Sequence, residues 1–246
     1  MSLPRLDGNG PQGESVMSND AGEAFGGLRS PRIGAGLPVV DRIAGRRLLF
    51  TMAAPEEYGP ALRALISPVM TGIGPVEAAI SVTAALTRLE AARALPEAVV
   101  CLGSAGSRHL EQGGVYQARS VGWRDMDVSA LGFARGLTPG LDLPAELALG
   151  LQIPGIPSAS LSSGAAIVSG ADYDTIDADM VDMETHAVCR ACLGFAVPMI
   201  GLRGISDGAE PLTGFMDWTR YLAEIDRRLA AALELLAVAV GEGLLD

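Results

Sequence analysis

From about residue 47 onward, short apolar runs alternate with longer segments whose apolar residues recur at three- and four-residue steps. Short runs bounded by Gly or Pro read as strands, and the longer recurrence reads as helix. Strands are predicted at 47–52, 67–71, 98–102, 115–121, 165–169, 180–183 and 197–205. Helices are predicted from Pro55, from 75 to about 94, at 185–193 and from about 217 to 240. The last carries the clearest stripe, Trp218, Leu222, Ile225, Leu229, Leu233, Leu236 and Val240 on one face. Pro55 and Pro75 occupy first-turn positions, where the missing N–H costs no helical bond. Strand followed by helix through most of the chain implies an α/β fold, a largely parallel sheet with helices on its faces. In such sheets ligands gather beyond the carboxyl ends of strands. There the pattern places Glu57, Gly72–Gly74, Gly103–Gly106, Met183, Glu184, Ser206 and Asp207.

Residues 1–36 break the pattern. They are rich in Gly, Pro, Ser and Asn and bury little, so they read as a flexible N-terminal arm before a single domain, 37–246. The net charge of −11 provides no basic stripe for nucleic acid and no attraction to anionic lipid. The longest apolar run, 229–240, is interrupted by Glu234 and too short to span a bilayer. Cys101, Cys189 and Cys192 lie in apolar stretches with no secretory signal before them, as expected of free thiols in a reducing cytoplasm.

Several motifs fail on their missing parts. Gly204-Ile205-Ser206-Asp207-Gly208 fits the G-x-S-x-G of serine hydrolases, but in that fold the histidine follows the serine, and His109 and His186 both precede it. Gly72-Ile73-Gly74 opens like a dinucleotide loop, yet Glu77 stands where the third Gly belongs. The acidic stretch from Asp172 to Glu184 lacks the central Gly and oxygen spacing of a calcium loop. Cys189 and Cys192 have no second pair or flanking ligand to make a zinc site. Asp125 and Asp127 read as turn caps. No metal and no organic cofactor is expected.

Taken in order, seven short segments resemble the nucleoside phosphorylase family, and within it the 5′-methylthioadenosine/S-adenosylhomocysteine nucleosidases. They are Met52-Ala53-Ala54-Pro55-Glu56-Glu57, Thr71-Gly72-Ile73-Gly74, Gly103-Ser104-Ala105-Gly106, the stretch from Asp125 to Phe133, Val168-Ser169-Gly170, Val181-Asp182-Met183-Glu184-Thr185 and Arg203-Gly204-Ile205-Ser206-Asp207. The resemblance implies a three-layer α/β/α fold around a mixed, largely parallel sheet, and hydrolysis of the N-glycosidic bond of a purine nucleoside. It makes Asp207 the acid at adenine N7, oriented by Ser206, and Glu57 the base that activates water. Arg203 and Thr71 would line the water and ribose region, Met183 and Glu184 would contact the ribose, Tyr173 would stack on the base, and Asp174 would offer it backbone groups. Gly72 and Ser104 join the substrate-binding set. Leu131, Phe133 and Pro139 resemble a segment that reaches across a homodimer interface to cover the ligand's 5′ end.

The chemistry asks for these residue types independently. Adenine leaves poorly as an anion, so an acid must protonate it. The sugar left behind is oxocarbenium-like, which a carboxylate stabilises while another takes a proton from water. Glu56, adjacent to Glu57, could carry the base role instead. The chain is shorter than the family pattern between Glu57 and Thr71 and between Tyr173 and Asp182, which leaves the base side more open. Phosphorolysis and nucleoside binding without turnover are the alternatives. The first loop, 52–57, is acidic and has no Arg to grip phosphate, which favours water.

Overall fold

The computed structural model describes residues 36–208, 210 and 214–246. The arm expected at 1–36 lies outside the described residues except for Gly36. The chain runs β1 (Asp41–Ile43), β2 (Arg46–Met52), a 3-10 turn (Pro55–Glu57), α1 (Pro60–Arg63), β3 (Val69–Met70), α2 (Pro75–Ala91), β4 (Ala98–Gly106), β5 (Val115–Trp123), β6 (Glu146–Ala148) and β7 (Ser158–Ser163). It continues through a second 3-10 turn (Gly170–Thr175), β8 (Met180–Asp182), α3 (Thr185–Gly194), β9 (Met199–Asp207), α4 (Phe215–Thr219) and α5 (Leu222–Gly241).

The strands show why three layers form. Successive strand side chains point to opposite faces. Leu48, Phe50 and Met52 of β2 face α5 in one core, with Ala98, Val100 and Leu102 of β4. Leu49, Val99 and Cys101 face the other core, where α2 contributes Val82, Leu86 and Leu89 and α3 contributes Val188 and Cys192. The sheet is mixed. Strand β4 pairs parallel with β2 and β9, and β7 pairs parallel with β5 and β8, while β9 meets β5 antiparallel. A pairing of Gly106 with Val181 joins β4 back to β8, so the strands curl around the site.

Three sequence expectations change. Strand β4 does not end at 102 but runs through Gly103–Gly106, because the β9 ladder supplies hydrogen bonds that outweigh the low strand propensity of Gly and Ser. Residues 165–169 form no strand; the strand is β7, just before them. Its sequence, Ser-Ala-Ser-Leu-Ser-Ser, looks like a loop, but Ala159 and Leu161 are buried, Ser160 hydrogen-bonds Asp179, and Ser163 hydrogen-bonds Asp182. The last helix is two, α4 and α5, split at residues 220–221.

Candidate active site

The site grows from strand ends. The 3-10 turn after β2 buries Glu57 to 5% exposure. Its Oε1 accepts hydrogen bonds from the backbone N of Ser104 at 2.7 Å and from Ser104 Oγ at 2.6 Å, while Oε2 is buried with no hydrogen-bond partner. Burial pushes the Glu57 carboxyl up, against the pull of the two Ser104 hydrogen bonds and of Arg203. A side chain on Gly103 would stand 3.2 Å from Glu57 Oε1, so glycine there is what lets the carboxylate lie against β4.

Glu184 follows β8 and begins α3, 9% exposed. Its Oε1 accepts from the backbone N of Gly74 at 2.7 Å, at the start of α2. Burial, then the neighbouring Asp182, push its pKa up to about 8, opposed by the Gly74 hydrogen bond. Asp207 ends β9, beyond a register shift between Ala105 and Gly106 on the neighbouring strand. Burial raises its pKa, against the hydrogen bond that Ser206 Oγ donates to its Oδ1 at 2.5 Å.

These three carboxylates line one cavity of about 750 Å³, together with Ser104, Met183, Ser206, Arg124 and Trp218. Glu56 is half-buried and does not line it, which separates the two adjacent acids. A carboxyl held partly protonated in a dry wall can give a proton, and one with a bare oxygen can take one.

A profile of the phosphorylase superfamily matches residues 160–238. The 5′-methylthioadenosine/S-adenosylhomocysteine nucleosidase of Haemophilus influenzae strain PittGG is 30% identical over 192 residues, covering 66% of this chain and 81% of that one. The chain belongs to the 5′-methylthioadenosine/S-adenosylhomocysteine nucleosidase family. The same fold appears in a Helicobacter pylori nucleosidase variant holding 5′-methylthioadenosine in its active site, with a TM-score of 0.66, 20% identity and coverage of 80% of this chain and 99% of that one. It appears too in the futalosine hydrolase of the same organism, with a TM-score of 0.64, 20% identity and coverage of 77% and 96%.

Not every residue matched to a nucleosidase role reaches the cavity wall. Arg203 is buried at 1% exposure behind the wall, where its guanidinium pairs with Asp182 at 2.9 Å, donates to Thr185 Oγ1 at 2.6 Å and contacts Cys101 Sγ at 3.1 Å. Thr71 donates its hydroxyl to the carbonyls of Met52 and Gly72, and Gly72 donates its backbone N–H to Ala53, so both brace the loop. Tyr173 packs among Val168, Val181 and Ile176, and the Arg108 guanidinium lies 5.4 Å from its ring centroid. Asp174 is exposed and paired with Arg108. None of these five lines the cavity: Arg203, Thr71 and Gly72 act as supports, and the ring of Tyr173 and the Asp174 side chain are turned to other partners.

Sequence reasoning missed Asp182, Arg124 and Trp218. Asp182 accepts from Arg203, Ser163 Oγ and the N-terminal Thr185 of α3, so it fixes the helix that follows Glu184. Its place in Val181-Asp182-Met183-Glu184-Thr185 was visible, but its inward direction was not. Arg124 donates to the carbonyls of Ser162, Asp182, Gly164 and Ala166 and ties down the cavity rim. Trp218 falls on the apolar stripe of what the sequence reads as one continuous helix, which hides its place in the cavity wall.

Proposed function

We propose that this chain hydrolyses the N-glycosidic bond of 5′-methylthioadenosine or S-adenosylhomocysteine and releases adenine. The observation that carries the reading is the meeting of Asp207, Glu57 and Glu184 in one cavity, with burial raising each above the ordinary carboxylate range. Asp207, in its protonated form, gives its proton to N7 as the C1′–N9 bond breaks, so adenine departs neutral. Ser206 holds Oδ1, which leaves Oδ2 for the proton. Glu57 Oε2, free of other donors, takes a proton from the water that attacks C1′. Glu184, in its ionised form, accepts from the ribose hydroxyls and stabilises positive charge on the sugar. Water is preferred to phosphate because a carboxylate guards the attacking side. Arg124, the arginine in the wall, spends its described hydrogen bonds on backbone carbonyls.

The proposed partners are a small purine nucleoside and a second copy of the chain. Leu131 is 74% exposed and Phe133 42%, with Pro139 also exposed, as a segment that covers a neighbour's pocket would be in one copy alone. Among the described residues no helix is long and apolar enough to cross a membrane. Buried thiols at Cys101, Cys189 and Cys192 suit the proposed cytoplasmic setting. The test is adenine release from a panel of 5′-substituted adenosines, with and without phosphate. Release without phosphate, yielding the free sugar, is expected. Strict dependence on phosphate would replace hydrolysis by phosphorolysis, and saturable binding with no release would leave only a nucleoside binder.

A further inference from the structure

Trp218 sits on α4, eleven residues after Asp207, and lines the cavity. Its indole Nε1–H donates to Ser104 Oγ at 2.9 Å, and Ser104 Oγ donates to Glu57 Oε1 at 2.6 Å. An indole N–H can only donate, whereas a serine hydroxyl donates or accepts as its rotor turns. With Trp218 in place, Ser104 Oγ must accept from the indole, and its own proton is left for Glu57. The backbone N of Ser104 supplies a second donor to that same oxygen. One oxygen of Glu57 is thereby saturated, and the other faces no donor.

We propose that Trp218 is a positioning residue for Glu57: through the Ser104 hydroxyl it fixes Oε1 as the anchored oxygen and reserves Oε2 for the proton taken from water. The inference rests on Glu57 as the base. It also makes α4, which follows the acid in the chain, part of the support for the base in the same cavity. Donors to Oε1 favour the ionised form, so their weakening raises the pH at which Glu57 becomes competent.

The test uses the full chain with Trp218→Phe, Ser104→Ala and the double variant. Phe keeps an aromatic ring against the cavity but removes the indole N–H together with the five-membered ring, so the pH limb and the double variant separate the lost donor from the lost volume. Trp218→Phe should lower kcat about two- to tenfold, as for loss of one neutral hydrogen bond, with KM little changed. The acid limb of kcat/KM should move to higher pH. In the Ser104→Ala background the same substitution should have no further effect, since the relay is already cut. Losses that multiply in the double variant, or a rise in KM with the limb unmoved, would show that Trp218 only packs. If Ser104→Ala leaves too little activity to measure, the limb of Trp218→Phe decides alone. Glu57→Gln is assayed alongside: retained turnover there would overturn the base assignment itself, a result distinct from a failed cycle.

Discussion

At the scale of single residues, the site is a division of labour among carboxylates whose surroundings differ. Asp207→Asn keeps the shape and the Ser206 contact but has no proton to transfer. Its kcat on 5′-methylthioadenosine should fall about 10²–10⁴-fold with a smaller change in KM, and steady-state kinetics of adenine release would show it. Near-normal kcat would remove Asp207 from the role. Glu57 and Glu56 are adjacent, yet Glu57 lines the cavity and Glu56 does not. Glu57→Gln should therefore be inactive and Glu56→Gln close to the parent; the reverse pattern would move the base by one residue. The residue types were readable from the chain because the reaction demands an acid, a base and a ribose contact. Which of two neighbouring glutamates points inward was not, because that depends on the tight 3-10 turn at Pro55–Glu57.

At the scale of elements, the loops between strand and helix hold the ribose side. Gly74 begins α2 with φ of +98°, a conformation natural to glycine, and its N–H binds Glu184. Beyond its chain neighbours no atom stands within 4 Å of the position a Cβ would take there, so Gly74→Ala meets no packing clash, only backbone strain of about 1–3 kcal/mol from the Gly-favouring φ and ψ. Relief of that strain turns the N–H away from Glu184. The expected outcome is a KM several-fold higher and a small loss of stability, checked by kinetics and denaturant titration. Unchanged KM would show that the Gly74 hydrogen bond does not place the ribose contact. The turn itself was legible in Thr71-Gly72-Ile73-Gly74-Pro75, since Gly before Pro at a helix start is a local signal. The polar strand β7 was hidden, because its serines are satisfied by Asp179 and Asp182, which lie far along the chain.

At the scale of the whole molecule, burying acids ties stability to pH. Burial, then the neighbouring Asp182, push Glu184 up from an ordinary 4.5 to about 8, so through that window the folded chain binds more protons than the unfolded one. Stability must then fall as pH rises through that window, and level off above it. The parent should lose about 5 °C or more in Tm between pH 5 and pH 8.5 through this group, and Glu184→Gln should flatten the slope. Scanning calorimetry across pH would check this; parallel slopes for parent and variant would show that Glu184 is ionised throughout. The exposed Leu131 and Phe133 bear on assembly. Leu131→Asp with Phe133→Asp should convert the proposed dimer to monomer and weaken methylthio-ligand affinity at least tenfold, because a shared pocket loses its cover. Sedimentation and calorimetric titration measure both, and a variant that stays dimeric, or a monomer that binds as tightly as the parent, would rule out the shared pocket.

Local pattern along the chain carried the α/β class, the apolar stripe of the C-terminal helix, and the strand ends where Glu57, Glu184 and Asp207 lie. These follow from local periodicity and from turn residues, which act over a few positions. Packing across the fold settled that Arg203 sits behind the wall, paired with the wall residue Asp182, that Tyr173 packs beside Arg108, and that a break after α4 brings Trp218 to Ser104. Each of these depends on pairs far apart in the chain. There a buried charge or donor takes the nearest partner that can satisfy it, and no local pattern encodes which partner that is.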